Sequence, residues 1–116
     1  MADAAPGQWY WAEELRTDMI SAIRDIGVEL TRRALADRDI DLARWAAARA
    51  LVAAPGDELL MAFRIRTEHQ AGNVQETERL TLQLAAHARN LGVDLDPETV
   101  TLLQEVMEGR ARARLA

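Results

Sequence analysis

The chain has 116 residues, enough for one domain with its own core, and carries 14 basic against 19 acidic residues for a net charge of −5. An acidic, mixed-sign balance argues against phosphate backbone as the main partner. Cysteine is missing, which excludes disulfides, thiolate metal sites and cysteine nucleophiles.

Hydrophobic residues make up 49% of the chain but aromatics only 4%. The core must therefore be aliphatic side chains and alanine, which suits helices packed on helices. Strong strand formers are sparse and do not alternate, so the fold class reads as all-α. The opening Met1–Gly7 has no basic region and no apolar stretch of the signal-peptide kind. No apolar run approaches the ~18 residues that span a bilayer, and a soluble, cytoplasmic protein is expected.

Residues 1–7 read as a flexible N-terminus. From Gln8 to Ala36 the period is helical: Leu15, Met19, Ala22, Ile26 and Leu30 form one stripe, and Ile20, Ile23, Gly27 and Ala34 a second. So wide an apolar arc implies neighbours on more than one side. Gly27 marks either a close helix contact or a break. Asp37–Asp39 reads as a turn, with Asp39 or Asp41 capping a second helix. In that helix Ala43, Ala47 and Ala50 share one face, a stripe without bulk that lets a neighbour come close. Pro55 and Gly56 end it. Asp57 caps a third helix that runs to about Ala71, and Gly72-Asn73 closes it. Val74, Thr77, Thr81, Leu84, Ala88 and Leu91 make the seam of a fourth, ended by Gly92. Asp96-Pro97-Glu98 starts a fifth, which stops near Gly109. The helical domain is thus 8–109, followed by a loose basic tail over 110–116.

The turn at Arg38-Asp39-Ile40 lies about 34 residues before Gly72-Asn73-Val74, the period of tetratricopeptide repeats. Two such helix pairs with the fifth helix as a cap would make a short right-handed solenoid, with Glu105 and Glu108 on its polar outer face.

Specific residues carry a family resemblance. Pro55-x-x-Glu58-x-Leu60-Met61, Ala71-Gly72-Asn73 and Leu91-Gly92-Val93-Asp94-x-Asp96-Pro97-Glu98-Thr99-x-x-Leu102-Leu103 resemble the bacterial transcriptional activator domain. This is the tetratricopeptide-like module of actinobacterial SARP-type regulators. Trp9–Arg16 is similar to a Trp-x-x-x-Glu-x-x-Arg helix start in that module, and the likeness covers roughly Trp9 to Gly109. Thr77 and Thr81 stand where the family often has alanine and then tyrosine. No winged-helix sequence precedes the matching stretch, so direct nucleic-acid binding by this chain is not expected. What the resemblance implies is an all-α module that relays signals through protein contacts, with another domain or a separate protein as partner.

Tetratricopeptide folds bind peptides along the first helix of each pair. Projected here, that surface includes Val28, Arg32, Leu35, Ala62, Arg66 and His69. Arg32 and Arg66 would fork onto a partner's carboxylate; the plainer alternative is a solvated face paired with Glu29 or Glu68. Trp9, Tyr10 and Trp11 either anchor an interface or cover the open end of the first helix pair. Trp45 is expected to pack in the groove of the next unit, and is also the best contact for a homodimer. His69 and His87 have no ligand-type partner at helical spacing, so no metal or cofactor is expected. Asp94, Asp96 and Glu98 lack the glycine and terminal glutamate of a calcium loop. Ser21 is the lone serine, and no glycine-rich phosphate loop occurs. The chain is therefore not expected to be an enzyme or a membrane protein. The leading expectation is a protein-interaction and signal-relay module of a transcriptional regulator; the alternative is a homo-oligomerisation scaffold closed through Trp9, Trp11 and Trp45.

Overall fold

A computed structural model describes residues 6–92 and 94–115, with side chains over 11–92 and 94–112. It contains five helices: α1 (Pro6–Ala36), α2 (Ile40–Ala53), α3 (Glu58–Gln70), α4 (Val74–Leu91) and α5 (Pro97–Leu115). No strand occurs among the described residues. Residues 1–5 of the expected N-terminal segment lie outside them.

Side-chain caps set the helix starts. Asp39, Asp57 and Asn73 accept hydrogen bonds from the backbone N–H of Leu42, Leu60 and Glu76, at 3.1, 3.0 and 3.4 Å. The α1–α2 and α3–α4 turns share one geometry. Arg38 and Gly72 both take positive φ, 58° and 79°. The following N–H then reaches back to the end of the preceding helix, Asp39 to Ala34 O at 2.8 Å and Asn73 to Glu68 O at 2.9 Å. Arg38 carries a Cβ into backbone space that suits glycine. Arg38→Gly is expected to raise stability by about 0.5–1 kcal/mol, measured as a higher urea midpoint at unchanged slope; a lower midpoint would contradict it.

The α1–α2 contact is the tightest in the molecule. Ala43, Ala46, Ala47 and Ala50 are buried on α2, and Gly27 of α1 is buried opposite them. A methyl group built on Gly27 would overlap the Ala50 methyl. Gly27 is thus a close contact inside an unbroken helix. The Thr31 hydroxyl donates to Gly27 O at 2.6 Å, which keeps it satisfied in this dry seam.

α3 is the hub. It packs on α1, α2, α4 and α5, whereas α4 and α5 meet through an ion pair between Glu78 and Arg110. Its buried residues, Leu59, Leu60, Ala62, Phe63, Ile65, Thr67 and Glu68, run all the way round the helix, as a helix enclosed on every side requires. Asp57 at its start also accepts from Arg24 Nε at 2.7 Å, tying it to α1.

Several expectations need correction. The Leu15, Met19, Ala22 and Ile26 stripe of α1 is exposed, and only Leu30 is partly covered. Burial on α1 follows Gly27, Val28, Thr31, Ala34 and Leu35 instead, because α2 and α3 are short and meet only the second half of this long helix. Every described residue from Trp11 to Met19 is exposed, and the longest dimension of the molecule is 66 Å against 33 and 24 Å. On α4, Val74 and Leu91 at the seam's ends are exposed; Thr77, Leu80 and Leu84 carry the contact. α5 does not stop at Gly109 but continues through the basic segment to Leu115. Gly109 marks a close approach, since a methyl there would lie 2.8 Å from His69 Nε2.

Candidate functional site

α1, α3 and α5 share contacts through α3, and their C-terminal halves enclose a trough. One part, about 240 Å³, is lined by Arg32, Leu35, Ala36, Phe63, Arg66 and Leu102. A wider part, about 660 Å³, adds Arg38, His69, Gln70, Glu105 and Arg112 to the shared Leu35, Ala36 and Arg66. Gln70 Nε2 donates to Leu35 O at 3.1 Å and closes the floor between α1 and α3.

Four of the six groove residues expected from sequence line this trough: Arg32, Leu35, Arg66 and His69. Val28 and Ala62 do not. They are buried in the core, Val28 on the packed face of α1 and Ala62 on α3, which neighbours enclose.

The two arginines are not an open clamp. Arg32 Nη1 donates to Glu98 Oε1 at 2.5 Å, its Nε lies 3.8 Å from Glu29, and its guanidinium sits 5.5 Å from the Phe63 ring centroid. Arg66 is ion-paired with Glu105. Glu98 and Glu105 are seven residues apart on α5, hence on one face, and that face supplies the carboxylates foreseen for a partner. Glu68, considered as a mate for Arg66, is instead held by Arg44 of α2.

Arg38 and Arg112 at the wide end make no ion pair among the described residues. The trough therefore has four arginines and His69 against Glu105, which lines it, and Glu29 and Glu98, which pair with Arg32, in a chain of net charge −5. Sequence reading missed Arg38 and Arg112. The first shows only once the two turns are aligned and an arginine falls where the second has Gly72. The second shows only if α5 runs past Gly109, which puts Arg112 one heptad after Glu105.

Trp45 does not pack in a neighbouring groove: it is 55% exposed, with the Arg49 guanidinium 5.8 Å from its ring centroid. The alanine face of α2 is used up by α1, so Trp45 on the opposite face points outward. Trp11 is also exposed, on the first half of α1. Trp9 lies outside the residues whose side chains are described. His87 is half-buried; its Nε2 is buried without a hydrogen-bond partner among the described residues, and its Cε1 lies 3.9 Å from where a methyl on Gly56 would be. Among the described residues, no group of three or more His, Asp or Glu converges in metal-binding geometry, and no helix is long and apolar enough to cross a membrane. No family profile, curated protein or solved structure matches the chain.

Proposed function

We propose that this chain is a tetratricopeptide-like protein-interaction module that relays a signal within a bacterial transcriptional regulator. In this reading the trough between α1, α3 and α5 receives an acidic segment of a partner protein or of another domain. The observation that carries it is the excess of arginine in the trough of an acidic chain, with Arg38 and Arg112 unpaired among the described residues. Guanidinium groups suit this task because they bind carboxylates in a fork and stay charged. Two features support the repeat architecture: the shared turn geometry about 34 residues apart, and α3 packed on both α1 and α2. The regulatory context rests on the resemblance of Pro55–Met61, Ala71–Asn73 and Leu91–Leu103 to the bacterial transcriptional activator domain. Docking at Arg38 and Arg112, beside the Arg66–Glu105 pair, would shift α5 between a held and a released position, a population shift that a neighbouring domain reads.

The test is capture with the whole chain as bait in an extract of its own host, by cross-linking and quantitative mass spectrometry. Wild type is expected to enrich a component of the transcription apparatus. Arg38→Glu with Arg112→Glu is expected to recover at least about tenfold less of it, a loss of roughly 1.4 kcal/mol of binding. Equal recovery on both baits would dismiss the trough, and enrichment of proteins unrelated to transcription would dismiss the regulatory context.

A further inference from the structure

Between Trp11 and Ile26, α1 carries a second apolar face that nothing among the described residues covers. Trp11, Leu15, Met19, Ile23 and Ile26 are each between 43% and 67% exposed, and Ala22 is exposed among them. They form one strip about 22 Å long, turned by roughly 140° around the helix from the Gly27–Thr31 packing face. Side chains of this size and exposure leave roughly 500 Å² of apolar surface in one place, the upper end of what monomers show.

Charge decides what this strip fits. Glu14, Asp18, Asp25 and Glu29 recur at one helical phase along one edge of it, and all four are exposed. Asp25 and Glu29 share arginines of their own helix; Glu14 and Asp18 make no ion pair among the described residues. The other edge bears Ala12, Arg16 and Leu30 and no carboxylate. An anionic lipid surface is repelled by such a row. A second copy packed antiparallel with the two strips overlaid would set Asp18 against the other copy's Asp18, and Glu14 about half a turn from its Asp25, like charges across the same edge.

We infer that the α1 strip is a docking site for an amphipathic helix of another protein, one carrying lysine or arginine beside its apolar seam. The strip supplies the apolar anchor with Trp11 at its end, and the acidic row fixes the orientation of the incoming helix. The apolar strip ends at Ile26, before the trough begins, and its acidic row meets the trough through Glu29, which pairs with Arg32.

The probe is a synthetic helix of about three heptads with leucine and isoleucine at a and d and lysine and arginine at e and g. Its counterpart carries glutamate at the same flanking positions. By titration calorimetry at low salt, the full chain is expected to bind the basic helix at least about tenfold more tightly than the acidic one, with the advantage shrinking as salt is raised. Leu15→Glu with Ile26→Glu is expected to abolish binding at an unchanged Tm, since both side chains are exposed in the free chain. Glu14→Lys with Asp18→Lys is expected to reverse the preference. Equal affinity for the two helices, or affinity untouched by the Leu15/Ile26 pair, overturns the inference. So does a stable dimer in sedimentation equilibrium that Leu15→Glu with Ile26→Glu dissolves, which would assign the strip to a second copy.

Discussion

Gly27→Ala is expected to destabilise the chain by about 2 kcal/mol, against its local helix propensity. In an isolated helix this change would gain about 1 kcal/mol. Here the added methyl would occupy the space of the Ala50 methyl, with Ala46 O 3.6 Å away. The obstruction is a Cβ fixed to the α2 backbone, so no side-chain rotation relieves it and α1 and α2 must part. Overpacking of this kind costs about 1–3 kcal/mol, and separating the seam also loosens Ala43 and Ala47. A fall in Tm of roughly 10 °C is the corresponding readout for a domain of this size. Ala50→Gly should lower stability by about 1 kcal/mol alone, yet restore most of the loss when combined with Gly27→Ala. A double-mutant cycle would then show a favourable coupling of about 2–3 kcal/mol. Neutral Gly27→Ala, or additive losses, would mean that α1 and α2 do not approach this closely.

Glu68→Ala carries the second large effect, about 2 kcal/mol. Glu68 is buried on α3 and accepts two hydrogen bonds from one guanidinium, Arg44 Nε at 2.9 Å and Nη2 at 2.8 Å. Arg44 is itself half exposed, which places the loss well below that of a fully enclosed pair. The Arg44 hydrogen bonds hold the Glu68 carboxyl below the usual carboxylate range, more than burial raises it. A folded pKa below the unfolded one gives stability that is complete above the unfolded value, near 4.3. It is lost as pH falls through the folded value. The gap between wild type and Glu68→Ala is therefore expected to be constant from neutral pH to about pH 5 and to narrow below about pH 4. Denaturant melts across that range measure it; a gap that widens toward acid would contradict the assignment.

Much of the helix layout was legible in the chain. Asp39, Asp57 and Pro97 stand where they start helices, because caps act on backbone groups within a few residues of themselves; Asn73, read only as the close of the third helix, also caps α4. Gly72 and Gly92 end helices at positive φ for the same local reason. The small-residue face of α2 announced a close neighbour, and Gly27 proved to be the matching hollow. α5 was read too short: Gly109 stood as a stop, but there a glycine serves an approach to His69 from another helix, which local sequence does not display.

The site was less legible than the fold. Periodicity shows that a face is apolar but not whether anything covers it, so the Leu15–Ile26 stripe read as core and is exposed. Likewise Arg32 and Arg66 fell on the right face, while their carboxylate partners Glu98 and Glu105 arrive from a helix 66 and 39 residues later, a pairing fixed by how α5 lies against α3. The sequence by itself determined that this chain is helical, where its helices begin, and which of them can come close, because propensity, capping and side-chain volume act locally. Only the tertiary structure decided which apolar face of α1 is buried, that the groove arginines are engaged by α5, and that Arg38 and Arg112 are left to face the trough. Each of those depends on packing between segments distant in the chain, where the length and placement of neighbouring helices outweigh any local preference.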